Sequence, residues 1–265
     1  MPLSIATWNI NSVRLRIGLV ARLLRENRPD VLCLQETKCP DANFPLKALR
    51  RAGYEHIALH GQKGYHGVAI ASRHPLRAVD RRIFCGKQDA RHIAATVDYG
   101  DRPITIHNFY IPAGGDEPDP KINPKFHHKL SFLDELNGCT AALATPGSIL
   151  VGDLNVAPLE TDVWSHKQLL RVVSHTPAET ERFEKARMAG GWVDLTRHFV
   201  PPEEKIYTWW SYRSPNWRKS DRGRRLDHIW VTSDLVPDAT AISVLKHARS
   251  WKRPSDHVPV IATFR

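Results

Sequence analysis

Apolar residues along this chain gather into short continuous runs. Residues 31–34 (VLCL) form one and residues 149–151 (ILV) another. A short apolar run bounded by polar residues predicts a strand covered on both faces. Residues 4–8, 67–72, 228–232 and 258–264 have the same character. Residues 92–97 and 103–110 flank Asp98-Tyr99-Gly100-Asp101, a turn signal, and predict a hairpin. Residues 14–27 carry Leu15, Leu19, Leu23 and Leu24 at helical spacing, with Pro29-Asp30 as the stop. Residues 126–136 predict a second helix, and helical segments are expected across 164–188. Residues 113–124 and 207–225 read as loops, the first rich in Gly, Pro and Asp, the second long and polar.

Hairpins thus sit beside helical crossovers without strict βαβ alternation. That pattern predicts an α/β fold of two packed sheets with helices outside. No repeat, low-complexity tract or composition break divides the 265 residues, so a single domain over 1–265 is expected.

Composition sharpens this in three ways. A hydrophobic content of 42% supports a sizeable core. The net charge of +10 points to a polyanionic partner, against the blander reading of a merely soluble basic surface. Cys33, Cys39, Cys85 and Cys139 form no Cys-x-x-Cys pair and no zinc-type spacing with histidine. They read as reduced and structural, Cys33 within a buried run, which fits the cytoplasm. No apolar stretch approaches the ~20 residues of a membrane span, and the N-terminus lacks a signal-peptide pattern.

Candidate chemistry lies at the ends of the apolar runs. Trp8 leads into Asn9-Ile10-Asn11, Leu34 into Gln35-Glu36, and Val151 into Gly152-Asp153-Leu154-Asn155. Leu226-Asp227-His228 and Ser255-Asp256-His257 open two later strands. In an extended segment i and i+2 share a face, so Asp153 and Asn155, like Asn9 and Asn11, would converge. Each cluster alone has an ordinary reading as a cap or turn. Five in one chain favour a site. Glu36, Asp153 and Asp227 with amide neighbours and no thiolate suit a hard cation, Mg²⁺ with Mn²⁺ as substitute. A basic protein with such a pocket points to phosphate chemistry.

Taken in order, WNIN, LQETK, NFYIP, GDLNVAP, RRLDHIWV and SDHVPV closely resemble the exonuclease III branch of the abasic-site endonuclease family, across essentially the whole chain. GQKGYHGVAIASR and YTWWSYRS resemble the DNA-facing segments of that branch. The resemblance implies a four-layered α/β sandwich, two packed mixed β-sheets flanked by helices. It implies hydrolysis 5′ of abasic sites in double-stranded DNA, with 3′→5′ exonuclease activity and cleaning of blocked 3′ ends, by a monomer.

Combined with the chemistry, it makes Glu36 the main metal ligand with Asn9 alongside, and places Asp153, Asn155, Asp256 and His257 around the ion. Asp153 would take a proton from water that Asn155 orients. Asp256 would hold His257, which donates to a phosphate oxygen. Asp227 would touch either His257 or the metal. Tyr110 would bond the phosphate or assist the leaving group. The alternative makes His257 the base, oriented by Asp256.

Trp209 and Leu226 match positions lining a pocket for an extruded sugar, and Lys125 one near the phosphate track. Arg224 departs from the aromatic of some relatives. Arg218, Lys219, Arg222, Arg224 and Arg225 among Trp209, Trp210 and Trp217 suit nucleic acid. Tyr65 is a groove-contact candidate. Lys38 reads as a salt bridge or a phosphate contact, Lys121, Lys125 and Lys129 as mostly solvated, and His66 as surface. The rival readings are a same-fold phosphoesterase for inositol or lipid phosphates, and a DNA-binding relative without catalysis.

Overall fold

The computed structural model describes residues 2–100, 102–214 and 216–265. Asp101 of the predicted turn and Pro215 of the predicted polar loop lie outside the described residues.

Strands are numbered along the chain. The first sheet runs, edge to edge, β13 (Ala239–Val244), β14 (Val260–Phe264), β1 (Leu3–Asn9), β2 (Val31–Gln35), β4 (Val68–Ser72) and β3 (His56–His60). The second runs β5 (Leu76–Asp80), β6 (His92–Tyr99), β7 (Arg102–Tyr110), β8 (Ser148–Asp153), β12 (Asp227–Val231) and β9 (Val193–Asp194). A short ribbon pairs β10 (Trp209–Trp210) with β11 (Gly223–Arg224). The helices are α1 (Val13–Asn27), α2 (Leu46–Arg51), α3 (Pro124–Leu143), α4 (His166–Leu169), α5 (Pro177–Ala189), α6 (Leu195–Phe199) and α7 (Trp217–Ser220). No helix among the described residues is long and apolar enough to cross a membrane.

Alternation along the strands builds the layers. Ile5, Val31, Cys33, Val68 and Ile70 face Ile93, Ile106, Ile149, Val151 and Ile229 in the core between the sheets. The intervening Ala6, Trp8, Leu32 and Leu34 meet Val20, Leu23 and Leu24 of α1 and Leu49 of α2 on the other side of the first sheet. Phe109, Leu150 and Trp230 meet Phe132, Leu133 and Leu136 of α3 and Phe183 of α5 outside the second. Both faces of the central strands are therefore covered, which is why they read as continuous apolar runs. The architecture is the four-layered α/β sandwich expected.

Each sheet has a parallel pair at its centre, β1 with β2 and β7 with β8, the second strand reached through a helix. The other pairings are antiparallel. Parallel strands bring their carboxyl ends to one edge, and crevices at that edge hold ligands in α/β sheets. Asn9, Glu36, Tyr110 and Asp153 end or directly follow these four strands. β12, antiparallel to β8, starts there too: Asp227 is the register partner of Asp153. This pairing pattern explains why acids terminate apolar strands.

Gly152 allows the β7–β8 approach beside Asp153. Its φ is +143°, and a Cβ there would stand 1.9 Å from the Phe109 carbonyl oxygen. Beneath the site a buried polar bridge ties the sheets: Gln35 Nε2 donates to Thr7 Oγ1 (2.9 Å) and Asn108 Oδ1 (2.7 Å). Asn108 Nδ2 in turn donates to the Leu34 and Ala69 carbonyls (3.0 and 2.9 Å).

The four edge strands, β3, β5, β9 and β13, were not expected from the sequence, nor was the β10–β11 ribbon within the stretch read as a polar loop. The last predicted strand begins later than read, at Val260, so Asp256-His257 precede it rather than open it. The predicted helix at 126–136 extends over Pro124–Leu143. It starts with Asn123, whose side chain accepts from the Lys125 amide (3.0 Å), and Pro124 in the first turn.

Candidate active site

The Asn9 amide is the hub of the site. Its Nδ2 donates to Glu36 Oε1 (2.9 Å) and to Asp153 Oδ2 (2.7 Å). One nitrogen thus bridges carboxylates carried by different sheets. Asn9, Asp153 and Asn155 are buried, and the Glu36 carboxylate keeps a partial opening.

The strand pleat does not extend through Asn9–Asn11 or Asp153–Asn155. Asn11 and Asn155 have φ of 46° and 53°, so neither segment stays extended. Each makes an Asx turn: the Asn11 amide donates to Asn9 Oδ1 (3.0 Å), and the Asn155 amide to Asp153 Oδ1 (3.1 Å). Both short side chains tolerate that left-handed backbone. Asn155 Nδ2 is spent on the Ile111 carbonyl (2.9 Å). The turn is held from below by Lys129, whose Nζ donates to the Asn155 carbonyl (2.6 Å) and pairs with Glu179. Lys129 and Glu179 are wholly buried, so Lys129 is a strut rather than a solvated lysine.

His257 is clamped by two acids. Its Nδ1 lies 2.8 Å from Asp227 Oδ2, and its Nε2 lies 3.6 Å from Asp153 Oδ2. Asp256, expected to hold it, is turned away: its oxygens accept from Asn11 Nδ2 and Trp209 Nε1 (3.0 Å each). The backbone explains this, because neighbouring side chains point apart, and Asp227 reaches the imidazole from the facing strand. Ser255 Oγ donates to the Asn9 carbonyl (2.7 Å), and Trp8 Nε1 to the His257 carbonyl (3.0 Å), fixing the segment to β1.

Electrostatics follow from this geometry. Burial opposes charge on His257, but the Asp227 and Asp153 carboxylates outweigh it and raise its pKa to about 10. Burial also pushes the Asp153 carboxyl up; the imidazolium opposes that, and Asp227 reinforces it. Burial would raise Glu36 as well, yet the Lys38 ammonium and the Asn9 bond hold it below the usual carboxylate range. Lys38 Nζ sits 2.8 Å from Glu36 Oε2 and 2.7 Å from Asn11 Oδ1. Burial, with Glu36 and Asp153 adding to it, raises Tyr110 well above 10, so its phenol is a proton donor.

In consequence, Asp227→Asn is expected to lower the His257 pKa markedly, and Asp256→Asn much less. Nitrogen-15 NMR of the imidazole reads both. Equal shifts would contradict the assignment of Asp227 as its holder.

Asp153, Asp227 and His257 also bring ligand-type atoms within 4.8 Å of one another. With its proton held between two carboxylates, His257 is a hydrogen-bond donor here and a poor ligand. Asn9 likewise presents its NH₂ group, and both Asp256 oxygens are engaged. A hard cation fits the remaining oxygens. Asp227 Oδ1 is buried with no partner, an arrangement that is costly for a carboxylate oxygen. Glu36 opens onto the cleft and already faces a cation in Lys38.

The site lies in a cleft of about 730 Å³. Glu36, Asp153, Asp256 and His257 line it together with Trp209, Leu226 and Arg224. Tyr65, Lys125 and Arg218 lie outside its lining. Tyr65 is 71% exposed, Lys125 is exposed, and Arg218 bonds Ser250 Oγ (2.9 and 2.6 Å). Arg225 is wholly buried and structural. Trp210 packs in the core with Tyr207 and Trp251. Arg213, Trp164, Val173 and Ser174 line the cleft and were missed by sequence reasoning. His66, expected at the surface, is half-buried with its ring 6.1 Å from Tyr110.

A family model for the endonuclease/exonuclease/phosphatase family matches residues 6–257. The chain belongs to that family. It is 29% identical to exodeoxyribonuclease III of Haemophilus influenzae, over 98% of each chain. An AP endonuclease from Archaeoglobus fulgidus superposes with a TM-score of 0.90 at 33% identity, over 99% of each chain. So does a 3′ phosphatase from Neisseria bound to a product DNA hairpin, with the same score and coverage at 32% identity. The family's hydrolytic chemistry finds its acids gathered here at one edge of the sandwich, and the chain is a nuclease-type hydrolase.

Proposed function

We propose that the protein is a Mg²⁺-dependent DNA-repair phosphodiesterase. It incises duplex DNA 5′ of abasic sites, shortens strands from the 3′ end and removes blocking groups there. The observation that carries this reading is the Asn9 bridge between Glu36 and Asp153, beside His257 held by Asp227. The net charge of +10 supplies attraction to the DNA backbone.

Glu36 and Asp227 are the residues that would hold the metal. A bound Mg²⁺ supplies Lewis-acid neutralisation of a phosphate and its leaving oxygen. Asp153 is the proton acceptor for water, since His257 already carries its proton and Asp153 is the acid whose pKa burial lifts. The imidazolium donates toward a phosphate oxygen, where a fixed cation is most effective as negative charge builds. Tyr110, protonated, donates to the phosphate or the departing oxygen. Trp209 and Leu226 offer an apolar face to an extruded sugar. A nucleotide without a base is the easiest to extrude, because little stacking is lost. Action as a monomer in the cytoplasm is part of the proposal; the four free cysteines are consistent with a reducing compartment.

A duplex with one abasic site, incubated with Mg²⁺ or with EDTA, tests the reading. Metal-dependent incision leaving a 3′ hydroxyl is expected. Binding without cutting would instead mark a non-catalytic relative, and cleavage of inositol or lipid phosphates alone a different phosphoesterase. Raising salt is expected to weaken DNA binding steeply.

A further inference from the structure

Arg224 occupies an unusual place for a charged side chain. It lines the same cleft as Glu36 and Asp153. Its Nη1 donates to the Val173 carbonyl (2.8 Å) and to Ser174 Oγ (2.7 Å). Its guanidinium carbon lies 5.2 Å from the centre of the Trp209 ring. Trp209 is itself fixed through Asp256, and the Arg224 backbone through the Thr208 amide (2.9 Å). The guanidinium is thus held in place before any ligand arrives. Yet its Nη2 has no acceptor among the described residues and, unlike Nε, is not sealed from solvent. Arg213 and Arg222 line the same cleft, and the acceptors bonded to Arg224 are neutral. No carboxylate is bonded to Arg224 among the described residues.

We propose that Arg224 sets the substrate preference of the cleft, making it a receptor for a terminal phosphate monoester at a DNA 3′ end over a neutral, baseless sugar. This rests on the phosphoesterase reading and deepens it. A monoester carries about −1.5 to −2 charges and three strong acceptor oxygens near neutral pH, whereas a phosphodiester carries one charge. A fixed guanidinium with an unused N–H gains a charge-assisted bond from such a group. A sugar without a base offers no charge in return, and its entry leaves that N–H unpaired. The reaction is hydrolysis: water oxygen bonds to phosphorus, the bond from phosphorus to the 3′ oxygen breaks, and that oxygen takes a proton. The products are a 3′ hydroxyl and inorganic phosphate.

Two measurements test it. The first is the ratio of kcat/KM for a nicked duplex ending in a 3′ phosphate to that for a duplex with an internal abasic site. Arg224→Gln is expected to lower this ratio about 10- to 100-fold, the scale of one hydrogen bond to a charged group. Arg224→Lys is expected to fall between, since it keeps charge but loses the planar fork. An unchanged ratio in Arg224→Gln overturns the proposal. The second uses the wild-type protein in EDTA, so no turnover is needed. Fluorescence anisotropy is expected to show the 3′-phosphate duplex binding at least about ten-fold tighter than the same duplex ending in a hydroxyl, again the scale of one such bond. Equal binding overturns the proposal even if every variant misfolds. Absence of hydrolysis by the wild type, with the binding difference intact, would count against the phosphoesterase reading and not against Arg224.

Discussion

Asp153→Asn is expected to lower turnover of abasic duplex about 10²- to 10⁴-fold, the range for loss of one general acid–base group. The substitution is nearly isosteric, so its cost falls on chemistry. Asp153 Oδ1 anchors the Asx turn through the Asn155 amide, and Oδ2 receives Asn9. An asparagine oxygen retains one of these acceptor roles. It cannot accept a proton from water, and it removes one of the two carboxylates that keep His257 charged. Rate and binding are therefore expected to separate: kcat falls while the dissociation constant for the duplex, measured in EDTA, changes little. A variant that cuts at the wild-type rate would remove Asp153 from the mechanism. One that loses affinity in proportion to rate would make it a binding residue.

The second large effect is on stability. Arg225 Nε and Nη2 donate to the two oxygens of Asp162 (2.7 and 2.9 Å), and its Nη1 donates to Asp194 (2.7 Å). Arg197 joins the same carboxylate. Arg225 and Asp162 are both fully buried. Removing one partner of such a pair typically costs about 3–5 kcal/mol, because a charge is left uncompensated. For a chain of this size Asp162→Asn is expected to lower the melting temperature by on the order of 10 °C. The effect is expected to depend on pH. Burial would raise the Asp162 carboxyl, but Arg225 and Arg197 hold its folded-state pKa below the ordinary value. Its contribution is then complete above the unfolded pKa of about 3.9 and lost as pH falls through the lower folded value. Urea denaturation at pH 7 and at progressively acid pH is expected to show the gap between wild type and variant closing. A gap that is constant with pH, or absent at pH 7, would remove the ion pair from the stability account.

Much of this arrangement can be read from residue order, with instructive gaps. Central strands announce themselves because both faces are buried. The edge strands do not: β5 and β13 are largely exposed, and β3 alternates His, Ile, Ala, Leu, His with only Ala58 fully buried. Asn9, Glu36, Asp153, Asp227 and His257 were legible as polar interruptions at the ends of apolar runs. Their convergence has a different cause from the pleat, namely Asx turns and the register of Asp227 on Asp153. That Asp227 and not Asp256 meets His257 depends on pairing across 30 residues, which no local pattern encodes. Lys129 did leave a trace. It stands three residues after Phe126 and four before Leu133, on the buried stripe of α3, where a solvated lysine has no place. Arg225 left none, since a buried arginine in a basic run resembles its exposed neighbours.

The pinning of His257 to Trp8 joins positions 249 residues apart, and β1 lies between β2 and β14 in its sheet. During synthesis, Asn9, Glu36 and Asp153 leave the ribosome long before the histidine that completes their constellation. Contacts so distant in sequence form late and slowly. On the proposed mechanism a growing chain is therefore expected not to cut nucleic acid until β14 has been made and inserted beside β1, which would make hydrolytic competence the last property that folding confers.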